Sequence, residues 1–273
     1  MPSPSIIFST YNSPDWLEKV IWGFSCQEFN DFELVIADDG SANETHQMIE
    51  QLRKKTDLRI KHIWQEDEGF RKTRILNKAI SATSGDYLIF TDGDCIPRAD
   101  FVAVHMQYAA PGYFLSGGYF KLPMATSQAI TREDILNANC FNVDWLVKHG
   151  LKRSYKTAKL TASSWQKKLF NALTPTGATW NGHNSSGWKQ DIVTANGFDN
   201  RMQYGGEDRE LGERLINAGI KSKQLRYSAI CIHLDHSRGY VTQEARDKNR
   251  AIRDHTKEHR IVRTKNGINQ VTL

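Results

Sequence analysis

Two kinds of block alternate along the first part of the chain. Ser5-Ile6-Ile7-Phe8-Ser9, Phe32-Glu33-Leu34-Val35-Ile36-Ala37 and Tyr87-Leu88-Ile89-Phe90-Thr91 are short, nearly solid apolar runs of strand length. Leu58 to Trp64 alternates instead, as a strand with one wetter face would. Between the runs the apolar positions recur at helical spacing. Asp15 opens a segment with Trp16, Leu17, Val20, Ile21 and Phe24; Ser41 or Asn43 can cap a second with Met48, Ile49 and Leu52 inward. Glu68-Gly69-Phe70 turns into a third with Ile75, Leu76, Ala79 and Ile80, before Gly85 breaks into the Tyr87 run. Strands and helices in this order predict βαβ units and a mostly parallel sheet. In such sheets ligands bind outside the carboxyl ends of the strands.

The second half is less regular. Tyr113 to Phe120 reads as a hairpin or a bulged strand, and Arg132 to Trp145 as helical. Asn181 to Gly187 is rich in Gly, Asn and Ser and reads as a loop, leading through Trp188 and Asp191 to Asn196-Gly197-Phe198-Asp199. Tyr204-Gly205-Gly206-Glu207-Asp208 opens a helix with Leu211, Leu215 and Ile216 inward, stopped by Gly219. Ala229 to Ile232 predicts a strand ending in His233-Leu234-Asp235-His236. From Val241 the chain is polar and basic, helical over 244–259, with its last residues expected to fray. No internal repeat is visible.

The 273 residues are 39% hydrophobic, enough for a sizeable core in one large domain or two small ones. No apolar run reaches about 18 residues and no basic-then-apolar leader is present, so the expected location is cytoplasmic. Cys26, Cys95, Cys140 and Cys231 are scattered, which predicts reduced core thiols. The net charge of +5 is unevenly spread: no acid lies between Asp144 and Asp191, whereas residues 148–170 interleave lysines with Tyr155, Leu160, Trp165, Leu169 and Phe170. Such a block suits peripheral contact with the anionic inner face of a membrane. A solvated basic helix with a few buried anchors accounts for it equally well.

Three strand ends carry polar groups: Thr10-Tyr11-Asn12, Asp38-Asp39 and Asp92-Gly93-Asp94. Side-chain alternation sends Asp92 and Asp94 to the same side, and Gly93 lets the backbone bend. Converging carboxylates suit a hard divalent cation shared with phosphate oxygens. Alone, the D-G-D triplet is equally an acidic turn; the meeting of three polar ends on one sheet edge is what predicts a site. Glu207, Asp208 or both also fit as helix caps, the lesser of the two readings, and His233 with His236 is a weak metal pattern.

Taken together, these residues resemble the family 2 glycosyltransferases of the GT-A (Rossmann-like) fold. The second half is similar to the C-terminal motif region of β-1,4-galactosyltransferases and bacterial chondroitin-type polymerases. The likeness covers about residues 4–240. It rests on Ser9-Thr10-Tyr11-Asn12, Ala37-Asp38-Asp39-Gly40-Ser41, Asp92-Gly93-Asp94, Asn196-Gly197-Phe198-Asp199 and Gly205-Gly206-Glu207-Asp208 in that order. It implies a GT-A domain over 1–240, with a nucleotide half to about residue 100 and an acceptor half from about 101, then a basic helical tail over 241–273.

By position, the resemblance implies that Thr10, Tyr11 and Asn12 line a nucleotide pocket. Asp38 or Asp39 would bond the uracil or ribose. Asp92, Gly93 and Asp94 fall on the motif that holds Mn²⁺ or Mg²⁺ against a diphosphate, with Asp94 the direct ligand, His236 the distant one and His233 a second candidate. Asp208 falls on the catalytic base and Glu207 on the residue that orients the acceptor; Tyr204, Gly206, Trp188 and Asp191 are further acceptor contacts. Many members carry an arginine before the asparagine of the third helix, where this chain has Leu76 before Asn77. Arg71, Arg74 or Lys78 would then supply the cation.

The implied activity is an inverting, metal-dependent transfer from a UDP-sugar to a glycan or lipid-linked glycan in surface polysaccharide synthesis. A sugar-nucleotide nucleotidyltransferase would carry a Gly-rich basic loop after the first strand, which Thr10-Tyr11-Asn12-Ser13-Pro14 lacks. A phosphohydrolase built on Asp92, Asp94, His233 and His236 is a further alternative. Nucleic-acid binding through the basic block is disfavoured by the modest net charge.

Overall fold

In the computed structural model, which describes residues 3–237 and 241–271, the apolar runs become the strands of one mixed, mostly parallel sheet. The strands are β1 (Pro4–Thr10), β2 (Glu33–Asp38), β3 (Arg59–Trp64), β4 (Tyr87–Asp92), β5 (Cys95–Pro97), β6 (Tyr113–Lys121), β7 (Asn184–Trp188) and β8 (Lys221–His233). Their order is β3-β2-β1-β4-β7-β6-β8-β5. β1 to β4 run parallel, linked through α1 (Pro14–Ser25), α2 (Asn43–Lys55) and α3 (Lys72–Ala82).

Alternation along β1 divides the core. Ile6 and Phe8 join Leu17, Val20 and Phe24 of α1 on one face, while Ile7 joins Ile75 and Ile80 of α3 on the other. Each such buried side chain contributes about 1.5–3 kcal/mol, which is why these runs specify central strands. Neither Ser41 nor Asn43 caps α2. The loop after β1 does so from outside, Ala42 N–H donating to Asn12 Oδ1 at 2.8 Å and Asn12 N–H to Ser41 Oγ at 2.8 Å.

The second half departs from its pattern in several places. Tyr113–Lys121 is one strand whose register against β8 shifts at Gly117/Gly118. Side chains there are excluded, since a Cβ on Gly117 would stand 2.0 Å from Asn184 Oδ1 and one on Gly118 2.0 Å from Arg226 O. The predicted 132–145 helix is broken into Arg132–Leu136, a 3₁₀ turn Asn139–Phe141 and Val143–Lys148, with Ala138 left-handed at φ 56°. Asn184 to Gly187 is no loop but most of β7, antiparallel to β4 and β6. Its polar side chains are buried and satisfied: Asn184 Nδ2 donates to Gly118 O and Ala229 O, and Ser186 Oγ meets Tyr87 Oη and His105 Nδ1.

In the helix Glu207–Asn217, Leu211 and Leu215 are buried but Ile216 is 48% exposed, because it lies about 100° round from Leu215. The tail does not fray up to Val271. Beyond the helix Gln243–Glu258, Thr264 Oγ1 donates to Asp199 Oδ2 at 2.6 Å and Ile268 N–H to Asn196 O at 3.0 Å. Thr272 and Leu273 lie outside the described residues. The four cysteines are free thiols. No helix among the described residues is long and apolar enough to cross a membrane.

Candidate active site

β4 ends on Asp92, and Gly93–Asp94 turns sharply away. Gly93 N–H donates to Ser9 O at 2.9 Å, and a Cβ on Gly93 would come within 2.8 Å of that oxygen. The turn thus requires glycine because it lies against β1. The chain then enters β5, the last strand in the sheet order, which packs against α1 at Gly23 and pairs with β8, setting Cys95 opposite His233. Leu234 N–H donates to Asp94 O at 2.9 Å. Asp92 and Asp94 consequently line one cleft but face different partners, because Asp94 lies past the end of the strand whose alternation would have aligned them. Asp92 Oδ1 accepts from Lys72 Nζ at 2.7 Å and from Ser9 Oγ at 3.3 Å. Asp94 Oδ2 lies 3.1 Å from His236 Nε2 and 3.9 Å from His233 Nε2.

Lys72 is the first residue of α3, which puts it at the carboxyl edge of the sheet. Burial alone would raise Asp92, but the Lys72 ammonium outweighs it and holds the carboxyl down to about 2. Burial likewise disfavours the Lys72 charge, yet Asp92, Glu207 and Asp208 together raise its pKa further above the ordinary value.

β7 runs antiparallel to β4, so the residues just before it, Gly182 and His183, reach the same edge. Gly182 N–H donates to Asp208 Oδ2 at 2.8 Å. A Cβ on Gly182 would stand 3.5 Å from Lys72 Nζ, 3.8 Å from Asp208 Oδ2 and 3.9 Å from Asp92 Oδ1. Carboxylates from β4 and from the Glu207–Asn217 helix therefore meet around one small space. Glu207 Oε2 accepts Gly205 N–H at 2.9 Å, and burial, reinforced by the Asp208 charge, raises its carboxyl to about 7. Burial lowers His183 to about 4 against the opposing pull of Asp92, so its ring is neutral.

The helix bearing Glu207 and Asp208 is anchored from beneath. Arg214 and Glu210, 0% and 1% exposed, pair at 2.8 Å, and Arg214 also donates to Ala195 O and Gly197 O. The Asn196–Asp199 stretch is thus support for the cleft.

The cleft encloses about 650 Å³, and Thr10, Tyr11, Asp39, Phe70 and Tyr204 are among its walls. Thr10 Oγ1 is buried with no hydrogen-bond partner among the described residues. Asp39 accepts Gln65 Nε2 at 2.7 Å and Arg71 N–H at 2.9 Å; burial still raises it to about 6.

Several expected contacts fall elsewhere. Asp38 is 1% exposed and turns to Ser41 N–H and His62 Nε2, each at 2.8 Å. Asn12 lines a neighbouring groove. Asn77 is wholly buried, accepting Phe198 N–H and donating to Phe198 O and Asn200 Oδ1. Arg74 pairs with Glu68 at 2.9 Å, and Arg71 reaches Asp39 through its backbone only. Lys78 sits ~9 Å along α3 from Lys72 and does not line the cleft. Gly206, at φ 93°, lies under Arg253. Trp188 pairs with Tyr87 at the opposite end of β4, its Nε1 donating to Ala110 O at 3.0 Å, and Asp191 follows it there.

Sequence reasoning missed Lys72, Gly182 and His183, and also Tyr119, whose ring lies 4.4 Å from that of His183 and 5.7 Å from that of His233. Position at the head of α3 was a sufficient signal for Lys72. The others required the direction of β7 and the bulge in β6.

Two sequence families match the chain: glycosyl transferase family 2 over residues 5–141, and the domain described as the N-terminal domain of galactosyltransferase over residues 175–237. A GalNAc(5)-diNAcBac-PP-undecaprenol β-1,3-glucosyltransferase of Campylobacter jejuni is 31% identical over 113 residues, 41% of this chain and 36% of that protein. Chondroitin synthase of Escherichia coli is 24% identical over 237 residues, 79% of this chain and 32% of that one. The chain thus spans only 36% and 32% of these two relatives. Among solved structures, a mannosyltransferase of Pyrobaculum calidifontis in complex with GDP-Man and Mn²⁺ superposes with a TM-score of 0.59 at 17% identity, covering 88% of this chain and 59% of that one. Staphylococcus aureus TarS in complex with UDP-GlcNAc does so at 0.56 and 16%, covering 87% and 60%. At these identities the structural likeness concerns the fold.

Proposed function

The chain belongs to glycosyl transferase family 2, and from that premise we propose that it transfers a sugar, with inversion, from a UDP-sugar to a hydroxyl of a glycan or lipid-linked glycan during surface polysaccharide synthesis. The observation that carries the proposal is the convergence of Asp92, Lys72 and Asp208 on the space in front of Gly182. An anomeric carbon placed there has the diphosphate side and the acceptor side of the cleft to its two flanks. The undecaprenol-linked substrate in the Campylobacter protein's name supports a lipid-linked acceptor, and the UDP-GlcNAc complex of TarS supports the nucleotide.

Asp94 with His236 and His233 fits a divalent cation, since a carboxylate oxygen and two imidazole nitrogens already converge. Asp94, Cys95 and His233 each offer a ligand atom within 4.8 Å of the others. These residues, with Asp92 as a further candidate, would hold Mn²⁺ or Mg²⁺, which when bound offsets negative charge on the diphosphate.

The remaining steps fall to the chain's own groups. Asp39 and the unpartnered Thr10 hydroxyl take up hydrogen bonds to the nucleoside. Lys72, fully charged, faces the departing diphosphate. Asp208, aimed by Gly182 N–H, accepts the proton of the acceptor hydroxyl as that oxygen bonds to the anomeric carbon and the bond to the β-phosphate oxygen breaks. One displacement inverts the centre. Tyr204 offers a ring to the acceptor sugar, and Glu207 holds the Gly205 backbone beside it.

Incubation with UDP-sugars, GDP-mannose and simple glycoside acceptors, followed by NMR of the product, tests this. The reading requires a β-linked product from an α-linked UDP-sugar. A retained configuration, or phosphate release that ignores the acceptor, contradicts it.

A further inference from the structure

The helix Ser164–Leu173 is attached to the body through one face. Phe170 packs on Tyr227 with ring centroids 5.2 Å apart, and Asn171 bonds Ser228 Oγ and Tyr227 N–H, each at 2.9 Å. Trp165, Leu169 and Leu173 point elsewhere and are 66%, 42% and 68% exposed. Their four-residue spacing aligns them as one stripe. Scattered exposed apolar residues are ordinary, but a row of large ones on a single helix marks a contact surface.

Charge identifies the contact. Lys168 is exposed beside the stripe, as are Tyr155 and Lys156 just upstream, and no acidic residue lies between Asp144 and Asp191. A second copy docking by two-fold symmetry would set this cationic patch against itself. An anionic bilayer offers the complement: headgroups for the lysines, the acyl boundary for the leucines, and the interfacial layer that tryptophan favours. The segment also reaches the cleft. Lys159 Nζ donates to Tyr119 O at 2.9 Å and lies 5.3 Å over the Tyr119 ring, which forms part of the cleft wall.

We propose that Trp165, Leu169 and Leu173, with Lys156 and Lys168, form a docking face for an anionic phospholipid surface, and that it holds the Tyr119 wall of the cleft toward the membrane. The second clause rests on the transferase reading with a lipid-linked acceptor; the first does not, and its test involves no sugar transfer, so either can fail alone.

The test is co-sedimentation of the full chain with phosphatidylcholine vesicles and with vesicles also containing phosphatidylglycerol. Binding is expected to the anionic vesicles only, reduced at least about tenfold in Trp165→Ser/Leu169→Ser and in Lys156→Glu/Lys168→Glu. All four side chains are exposed, so unfolding temperatures should match the unaltered protein. Brominated lipid should quench tryptophan emission in the unaltered protein and much less in Trp165→Phe. Absence of vesicle binding, or binding that neither double variant weakens, overturns the proposal. So does concentration-dependent self-association that Trp165→Ser/Leu169→Ser abolishes without any vesicle binding, which would assign the stripe to a second copy.

Discussion

Lys72 Nζ donates to Asp92 Oδ1 across 2.7 Å, with the two side chains 19% and 24% exposed. A charged pair so placed is held together by mutual need, since either partner alone would be a poorly solvated ion. Lys72→Met should therefore cost about 3 kcal/mol in denaturant unfolding, the low end for a buried pair because both side chains keep some exposure, and Asp92→Asn added to it should restore much of that loss. Transferase activity should fall roughly 10²-fold in the single variant, the usual scale for a group facing developing charge. Equal stability in single and double variants would deny the coupling.

Gly182→Ala separates site from scaffold. The added methyl would meet Lys72, Asp208 and Asp92 at 3.5–3.9 Å, ordinary contact distances, so the unfolding temperature should stay within a degree or two of the parent's. It would also occupy the space assigned to the sugar. We expect kcat/KM to drop about 10–100-fold. Full activity in a folded Gly182→Ala protein would move the reaction centre elsewhere.

Asp39 sets a pH dependence. Its folded carboxyl titrates near 6, above its ordinary value, so the folded state binds the proton more tightly than the unfolded chain. The stability this gives is complete below about pH 4 and is lost as pH rises through 6, on the order of 3 kcal/mol. Asp39→Asn should remove that slope. Gln65 Oε1, buried without a partner among the described residues, can accept from the new amide once the Gln65 side chain flips. Urea midpoints at pH 4, 6 and 8 check the slope, and the same series with UDP should show weaker nucleotide binding in Asp39→Asn, since Asp39 is assigned a hydrogen bond to the nucleoside.

Glu207 titrates near 7, pushed up by burial and then by Asp208, with Lys72 opposing. Once ionised, it adds a negative charge beside Asp208 and the diphosphate site. The donor KM should rise above pH 7, and Glu207→Gln, which keeps the neutral shape, should abolish that rise. A profile unchanged by the substitution would show that the Glu207 charge does not reach the diphosphate site.

Asn77→Ala tests a relocation. The side chain makes three hydrogen bonds to Phe198 and Asn200, so its loss should cost about 2–4 kcal/mol of stability. The UDP affinity of the folded protein should not change.

How far the sequence reveals the site depends on which residues share an element. β1, β2 and β4 are legible because both their faces are buried, leaving unbroken apolar runs that end at the cleft. β7 is not legible: Asn184, Ser185 and Ser186 read as loop residues, and partners distant in sequence, His105, Tyr87, Ala229 and the Gly117–Gly118 bulge, are what satisfy them inside a sheet. From the same omission follows the misplacement of Trp188 and Asp191, which an antiparallel β7 carries away from the edge where Gly182 and His183 arrive. Asp94 meets His236 because β5 pairs with β8, a long-range pairing that no local pattern encodes; family resemblance alone joins the two. The missing arginine points to Arg71, Arg74 and Lys78 as the cation, whereas helix position places Lys72 at the sheet edge.

The most direct measurement is a thermal-shift series with UDP, GDP and their sugar conjugates, each in Mn²⁺ and in EDTA. The account predicts a stabilisation by UDP and at least one UDP-sugar that requires the metal and disappears in Asp94→Ala. Stabilisation that is equal in EDTA, or by no nucleotide at all, would contradict it.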